Sequence, residues 1–548
     1  MKTIRNLLTG LILGFAWAAC ADVYWNASSG SWSVNSNWAE DVLPTAADTV
    51  WATNLADNAI GPYEIRIANG VTAECANLNL DSFNINWISA PSVEVEPGGV
   101  LNVSTQAYLN VFSRLHVQPN GTLNVLKLLV GLPNGTGFKD VRGAGVFVND
   151  GRATLKTLNM RRGGIVTNNG ELAVSYLQVG GDSGGGKVVF SGGVVSISKE
   201  CGIANGGSDA YSAELVVTGG RITNEGSMRV AYAVRNRSNT RVTIEGRDTS
   251  WKNTNTGTGS DNGVWFGKYN NSTLYATNDW FVVANGASFE NACAMTFGRM
   301  AGTQSGQIIE AYVVVTNGAS FTCLNDVTLA NLFKASSGST STVKMLVDGA
   351  EAYVTNRTGT AALKLGTPML EGGTSTATGT IEVRNGALVF CDTLAASNGA
   401  QSVVNVISGT LRAKNAMIDG VGSQLVGSDD ESGGEWRLGA GGENRFAKGL
   451  TVKAGAALGV EIAAADNCGF ADVSGQTLTF AQGAQLAVTL LDGFEPVKHQ
   501  SWTIASAGSI IGMPKPTRGW RVVKTTAAGH ETLALEKADP SGFAIIVR

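Results

Sequence analysis

The chemically most suggestive stretch of the chain is Gly180-Gly-Asp182-Ser183-Gly-Gly-Gly186-Lys187-Val188. Gly181 to Lys187 fits most of the G-x-x-x-x-G-K phosphate loop. That loop works only with a Ser or Thr next, to hold Mg²⁺, and with a helix whose N-terminus faces the phosphate. Val188 stands there instead, and Val188-Val-Phe190 reads as a strand. The run Gly-Asp182-Ser183-Gly-Gly also has the form of a serine-nucleophile segment. A nucleophilic Ser needs a His base. The histidines are His116, His499 and His530, and His116 lies in an alternating strand pattern. The segment therefore reads as a Gly-rich loop between strands.

The acidic and basic candidates are equally thin. Glycoside hydrolysis needs two carboxylates a few ångströms apart. The densest acidic group is Asp429, Asp430 and Glu431, followed by Glu435 and Trp436. It could hold a hard cation, but reads as a solvated loop. The chain has no H-E-x-x-H, C-x-x-C or EF-hand loop, so the sequence gives no metal ligands. Arg161-Arg162 and the Arg235/Arg237 pair are isolated, which is no basic stripe for nucleic acid. No catalytic, cofactor-binding or metal residue is assigned from the sequence, and no cofactor is expected.

The elements that would have to position such groups are strands. The 548 residues are 43% hydrophobic and only 15% charged, with 70 Gly and 11 Pro. That excludes a disordered chain, which needs high charge and low hydrophobicity, and collagen, which needs Gly at every third position. The formal net charge of −4 gives no global field for nucleic acid or anionic lipid.

One motif recurs along most of the chain: alternating apolar residues, a polar step, Gly, a small residue, and another alternating stretch. Val93-Glu-Val-Glu-Pro-Gly98-Gly-Val-Leu-Asn-Val and Val313-Val-Val-Thr-Asn-Gly318-Ala-Ser-Phe are examples. Other copies centre on Gly121, Gly151, Gly170, Gly192, Gly219, Gly246, Gly286, Gly349, Gly386, Gly409, Gly455 and Gly483. Spacings run from 19 to 46 residues and average about 30. Period-2 alternation marks half-buried strands, and Asn-Gly or Asp-Gly supplies the positive φ of a tight turn. Asn-Gly alone also suits a hairpin of an antiparallel sandwich. One turn signature kept over nearly 400 residues points instead to a solenoid, whose coils pair with the coils above and below. The expected fold is all-β: a parallel β-helix (β-solenoid), right-handed by the crossover rule. An all-β sandwich array is the alternative.

The ends differ from the middle. Lys2 and Arg5, an apolar run from Leu7 to Ala19, and Ala19-Cys20-Ala21 form a secretory signal, which puts the mature start at Asp22. Lipidation at Cys20 is an alternative, although Trp17 stands where a lipoprotein box has Leu. No later run reaches the ~18 apolar residues of a membrane helix. Residues 22–60 hold Trp25, Trp32, Trp38 and Trp51, four of the twelve Trp. They read as a cap closing the first coil, with a sugar-stacking platform as the other reading. The expected layout is a signal over 1–21, a Trp-rich cap over 22–60, solenoid repeats over 61–435, and a C-terminal solenoid end and β cap over 436–548. Cys75, Cys201, Cys293, Cys323, Cys391 and Cys468 are too dispersed for a disulfide scaffold. They are expected as small buried hydrophobes, with a Cys293–Cys323 bridge as an alternative.

The opening Trp32…Asn37-Trp38…Pro44…Val50 and the G-A/T/G-x-L/F repeats resemble secreted bacterial proteins with autotransporter-associated β-strand repeats. Asp472-Val-Ser-Gly-Gln-Thr-Leu-Thr-Phe-Ala-Gln-Gly483-Ala-Gln-Leu is similar in style to the ends of such chains. The resemblance implies a secreted, surface-exposed β-helical passenger, often adhesive or structural. The repeats run to about residue 490, which leaves no room for the membrane β-barrel of a full autotransporter. The chain also has no Pro-Glu-Pro sorting signal. The expected function is an exported surface or extracellular scaffold, structural or adhesive, with extracellular polysaccharide or cell-surface glycans as partners. Stacked Asn, Ser and Thr would offer a periodic partner repeated hydrogen bonds. The alternative is a carbohydrate-active enzyme, a polysaccharide lyase or glycoside hydrolase, on the same fold.

Overall fold

The computed structural model describes residues 21–53, 63–81, 91–110, 112–132, 145–180, 185–204, 213–232, 239–256, 263–269, 275–300, 305–332, 337–368, 374–429 and 433–538. These residues form one long sheet of parallel strands wound into a β-solenoid, as the repeats predict. Each coil has three faces. One complete coil is Glu214–Val217, Gly220–Asn224 and Ser227–Tyr232. The next is Arg241–Glu245, Thr249–Asn253 and Val264–Tyr269, paired parallel and face by face with the first. In several coils the second and third faces are one bent strand, such as Glu171–Val179 or Thr410–Ile418.

The alternation produces the faces. Strand Ile308–Thr316 alternates half-buried and buried positions along its whole length, because successive side chains of a strand point to opposite sides. Inward residues such as Val242, Phe281, Val313 and Met345 are fully buried and stack along the axis. They form one continuous core cluster running from Val23 to Leu535. Each coil thus buries its apolar residues on its neighbours, and a single coil could not bury them alone.

The fourteen repeat glycines all sit at the corner between the first and second faces. At Asn285-Gly286, Asn317-Gly318 and Asn385-Gly386 both residues have positive φ, the geometry for which Asn and Gly are suited. Asn317 Nδ2 donates to Asn285 Oδ1 at 3.2 Å, and Asn385 Nδ2 to Asp348 Oδ1 at 2.6 Å. This corner therefore carries an exposed polar ladder.

Asparagines on the strands take both sides of the wall: Asn124 Nδ2 donates to Asn102 Oδ1 at 2.9 Å on the outer side, as an outward ladder would, while others face inward. Asn224, Asn253 and Asn291 are fully buried. Asn224 Nδ2 donates to Asn253 Oδ1 at 3.0 Å, and Asn253 Nδ2 to Asn291 Oδ1 at 3.2 Å. In-register amides pair because a buried polar group must find a partner. Cys75, Cys201, Cys293, Cys323 and Cys391 are buried free thiols, and Cys468 is a half-buried one. The Cys293–Cys323 bridge is thus not formed. Asn291 lies between the two, accepting from Cys293 Sγ at 3.2 Å and donating to Cys323 Sγ at 3.3 Å.

Aromatic clusters close both ends. Trp25 and Trp32 each meet Trp38 edge-on, with centroids 4.9 Å apart, and all three are buried. They form the Trp-rich cap rather than a sugar platform. At the other end the solenoid switches to antiparallel pairing. His530–Lys537 pairs with both Ser501–Ile511 and Trp520–Ala527. Trp502 packs against Trp520 at 5.7 Å and Phe494 at 6.1 Å. The hairpin covers the last parallel edge, which would otherwise template pairing with another chain.

Candidate functional site

The sequence candidates resolve into structural roles wherever they can be seen. Gly181, Asp182 and Ser183 lie outside the described residues, as do Asp430, Glu431 and the signal residues 1–20. Lys187–Phe190 is a first-face strand, so no helix follows the glycines. Asp429 pairs with Lys453 at 2.8 Å, and Glu435 with Arg437 at 2.8 Å. Trp436 is fully buried, edge-on to Phe446 at 5.0 Å. Asp429 and Glu435 are therefore each engaged by a cation. Among the described residues no three or more His, Cys, Asp or Glu side chains are grouped to hold a metal ion.

His116 sits on the first face between two acids. Its Nδ1 lies 2.6 Å from Glu94 Oε2 and its Nε2 2.8 Å from Asp150 Oδ2. Arg114 Nη1 donates to Glu94 Oε1 at 2.8 Å. Burial pushes the Asp150 carboxyl up, but hydrogen bonds from Asn169 and His116 outweigh it, and the group ends below the usual aspartate value. Among the described residues its partners are Arg114, Glu94 and Asp150, none of them a serine, and the cluster reads as a cross-coil clasp.

The richest outward arrangement runs further along the same face. Register places Lys187, Glu214, Arg241, Trp280, Tyr312 and Lys344 on six successive coils, one above the next. Their strand neighbours Val188, Leu215, Val242, Phe281 and Val313 point into the core, so the column faces solvent. At about 4.8 Å per coil the six positions span roughly 24 Å.

The column is internally bonded. Lys187 Nζ lies 2.9 Å from Glu214 Oε2. The Trp280 and Tyr312 rings stack at 4.4 Å and 16°, and the Arg241 guanidinium lies over the other face of Trp280, 5.8 Å from a ring centroid. Trp280 Nε1 donates to Asn278 Oδ1 at 2.5 Å, and Asn278 Nδ2 to Asn239 Oδ1 at 3.1 Å. Lys344 Nζ lies 2.7 Å from Glu382 Oε2, and Arg384 engages the other oxygen of Glu382. Beside the column runs the row Val216, Thr243, Val282, Val314 and Leu346, apolar except at Thr243.

A recess of about 390 Å³ opens at the start of the column. It is lined by Gly163, Gly164, Ile165, Gly185, Gly186, Lys187, Glu214, Asn239 and Arg241. Two of these glycines are required by close packing on the preceding coil. A Cβ on Gly164 would stand 2.2 Å from the Val130 carbonyl oxygen, and one on Gly186 2.9 Å from Met160 Cβ. Sequence reading missed this site because its members are spread over 182 residues, from Gly163 to Lys344. Only the coil register brings them together. Lys187, Glu214 and Arg241 open their strands whereas Trp280, Tyr312 and Lys344 lie mid-strand, so position along a strand gave no common signal.

Against known proteins, the chain matches no family model and no curated protein sequence.

Proposed function

We propose that the protein is an exported surface or extracellular β-solenoid scaffold, structural or adhesive, that binds an extended glycan along the outer side of its first face. The observation that carries this reading is the Lys187–Lys344 column: six polar or aromatic side chains at one-coil spacing on a stiff parallel ladder. A polysaccharide is itself periodic and extended, and a rigid row meets it without ordering cost on the protein side. Aromatic edges, amides and charges together give the mixed apolar and hydrogen-bonding contact that sugars take. The secretory signal at residues 1–21 and the resemblance to autotransporter-associated repeats support export and surface exposure.

The carboxylates beside the column favour binding over cleavage. Glu214 is held by Lys187, and Glu382 by Lys344 and Arg384. A hydrolase needs two carboxylates free to act on the sugar or a water, and both of these are already engaged by cations.

The test incubates residues 22–548 with plant, mucin and microbial polysaccharides. Retention of protein on each polymer is measured, together with new reducing or unsaturated chain ends against a heat-denatured control. Binding without new ends, weakened by Trp280→Ala and Tyr312→Ala, supports the scaffold. Release of chain ends by the native protein would replace it with the lyase or hydrolase reading. No binding to any polymer would refute glycan recognition.

A further inference from the structure

We infer that the glycine-walled recess at the start of the column is a subsite for the carboxylate or sulfate group of an acidic polysaccharide. The inference rests on the glycan-binding reading and names the substrate class. Its basis is an excess of unspent donors. Arg241 Nε donates to Thr243 Oγ1 at 3.2 Å, and the guanidinium plane is held over Trp280. Among the described residues no acceptor is bonded to either terminal nitrogen of Arg241, and the residue is exposed. The anchored Nε and the indole fix the plane, so the remaining fork points outward as a preformed bidentate donor.

Asn239 adds to it. Its Oδ1 accepts from Asn278 Nδ2, and the residue lines the recess with its amide. Lys187 lines the opposite side, two coils from Arg241, its charge balanced by Glu214. The recess therefore sets two cations, Lys187 and Arg241, against the single carboxylate of Glu214, with the Asn239 amide beside them and a floor of glycines and the exposed Ile165. A neutral sugar would leave the Arg241 fork unanswered. A uronate carboxylate or a sulfate ester matches it with two parallel hydrogen bonds. The neighbouring Trp280–Tyr312 pair then takes the next sugar units along the axis.

The experiment measures affinity for polygalacturonate and for its methyl ester, which keeps the chain and removes the charge. Dextran sulfate against dextran is the arm that reports a sulfate source. Wild-type protein should bind an acidic polymer about 10-fold or more tighter than its neutral counterpart, the worth of a charged hydrogen-bonded contact. The preference should shrink with added salt. Arg241→Gln should abolish the preference, lowering affinity for the acidic polymer about 10-fold more than affinity for its neutral counterpart. Lys187→Gln should reduce it less, because Lys187 is already paired. Circular dichroism and the unfolding midpoint check that the variants remain folded. Equal binding of acidic and neutral polymers would overturn the acidic subsite and leave glycan binding standing. A preference that persists in Arg241→Gln would overturn the assignment to this recess. Binding of none of the four polymers would count against the glycan reading itself.

Discussion

Arg412 grips Glu461 from two coils away: its Nη2 donates to Glu461 Oε2 at 3.0 Å and its Nε to the other oxygen. Register sets Arg412 opposite Arg437, and Arg437 opposite Gly459. The pair thus bridges the intervening coil, while the guanidinium also lies 4.7 Å from the ring centroid of Phe390 on the coil before. Glu461 is only 2% exposed. Removing one partner leaves the other charge uncompensated, which typically costs about 3–5 kcal/mol. Arg412→Met should therefore lower the urea midpoint of the C-terminal coils strongly. The double variant Arg412→Met/Glu461→Met should recover most of the loss. A small effect of the single variant would show the pair to be solvated.

The internal amide ladder gives a second test. Asn253 Oδ1 accepts from Asn224 and also from Trp251 Nε1 at 2.8 Å. Asn253→Leu strands these donors, and each buried unsatisfied group costs about 1–3 kcal/mol. Hydrogen exchange should quicken on the strands that hold Asn224 and Asn291, while distant coils keep their protection, since a solenoid couples nearest neighbours. Uniform quickening along the chain would contradict this.

Two corner glycines with nearly the same φ should behave differently. Gly193 and Gly318 have φ of +71° and +72°. An added Cβ at Gly318 meets nothing within 4 Å, whereas at Gly193 it would stand 1.9 Å from the Gly170 carbonyl oxygen. Gly318→Ala should cost only the left-handed strain, about 1–2 kcal/mol. Gly193→Ala must also displace backbone and should cost clearly more, read as a larger drop in unfolding midpoint.

Acid should weaken the fold through Asp48 and Asp150. Burial raises the Asp48 carboxyl, but hydrogen bonds from Thr45 and Ala21 outweigh it, so it lies below its ordinary value, as Asp150 does. A depressed folded value means the unfolded chain binds protons more readily. The stabilisation is complete above the unfolded value of about 3.9 and is lost as pH falls through the lower folded value. Asp48→Asn and Asp150→Asn should each flatten the stability profile below about pH 4. A change confined to neutral pH would point elsewhere.

The thiols should resist labelling. Burial pushes Cys75 and Cys323 up to about 12 and Cys468 to about 11, and raises Cys201, Cys293 and Cys391 too. Iodoacetamide at pH 8 should leave the five buried cysteines untouched in the native protein, with Cys468, the half-buried one, reacting first. After unfolding all six should react. Fewer than six would reveal a disulfide.

The fold was legible in the sequence because its cause is local. Alternation makes a strand, and Asn-Gly or Asp-Gly makes a corner, wherever each occurs, so the fourteen glycines marked the same corner in fourteen coils. The Trp-rich cap could be read for a similar reason: three large apolar residues within Trp25 to Trp38 have only the open end to cover. What the tertiary structure decided is everything that depends on which coil lies above which. Variable loops hide that register, so nothing in the chain announces that Arg241 lies against Trp280, thirty-nine residues on, or that Arg412 reaches Glu461. Nor does the sequence say which side of the wall an asparagine takes: Asn253 faces the core and Asn285 the solvent, because one ends a strand and the other opens a turn.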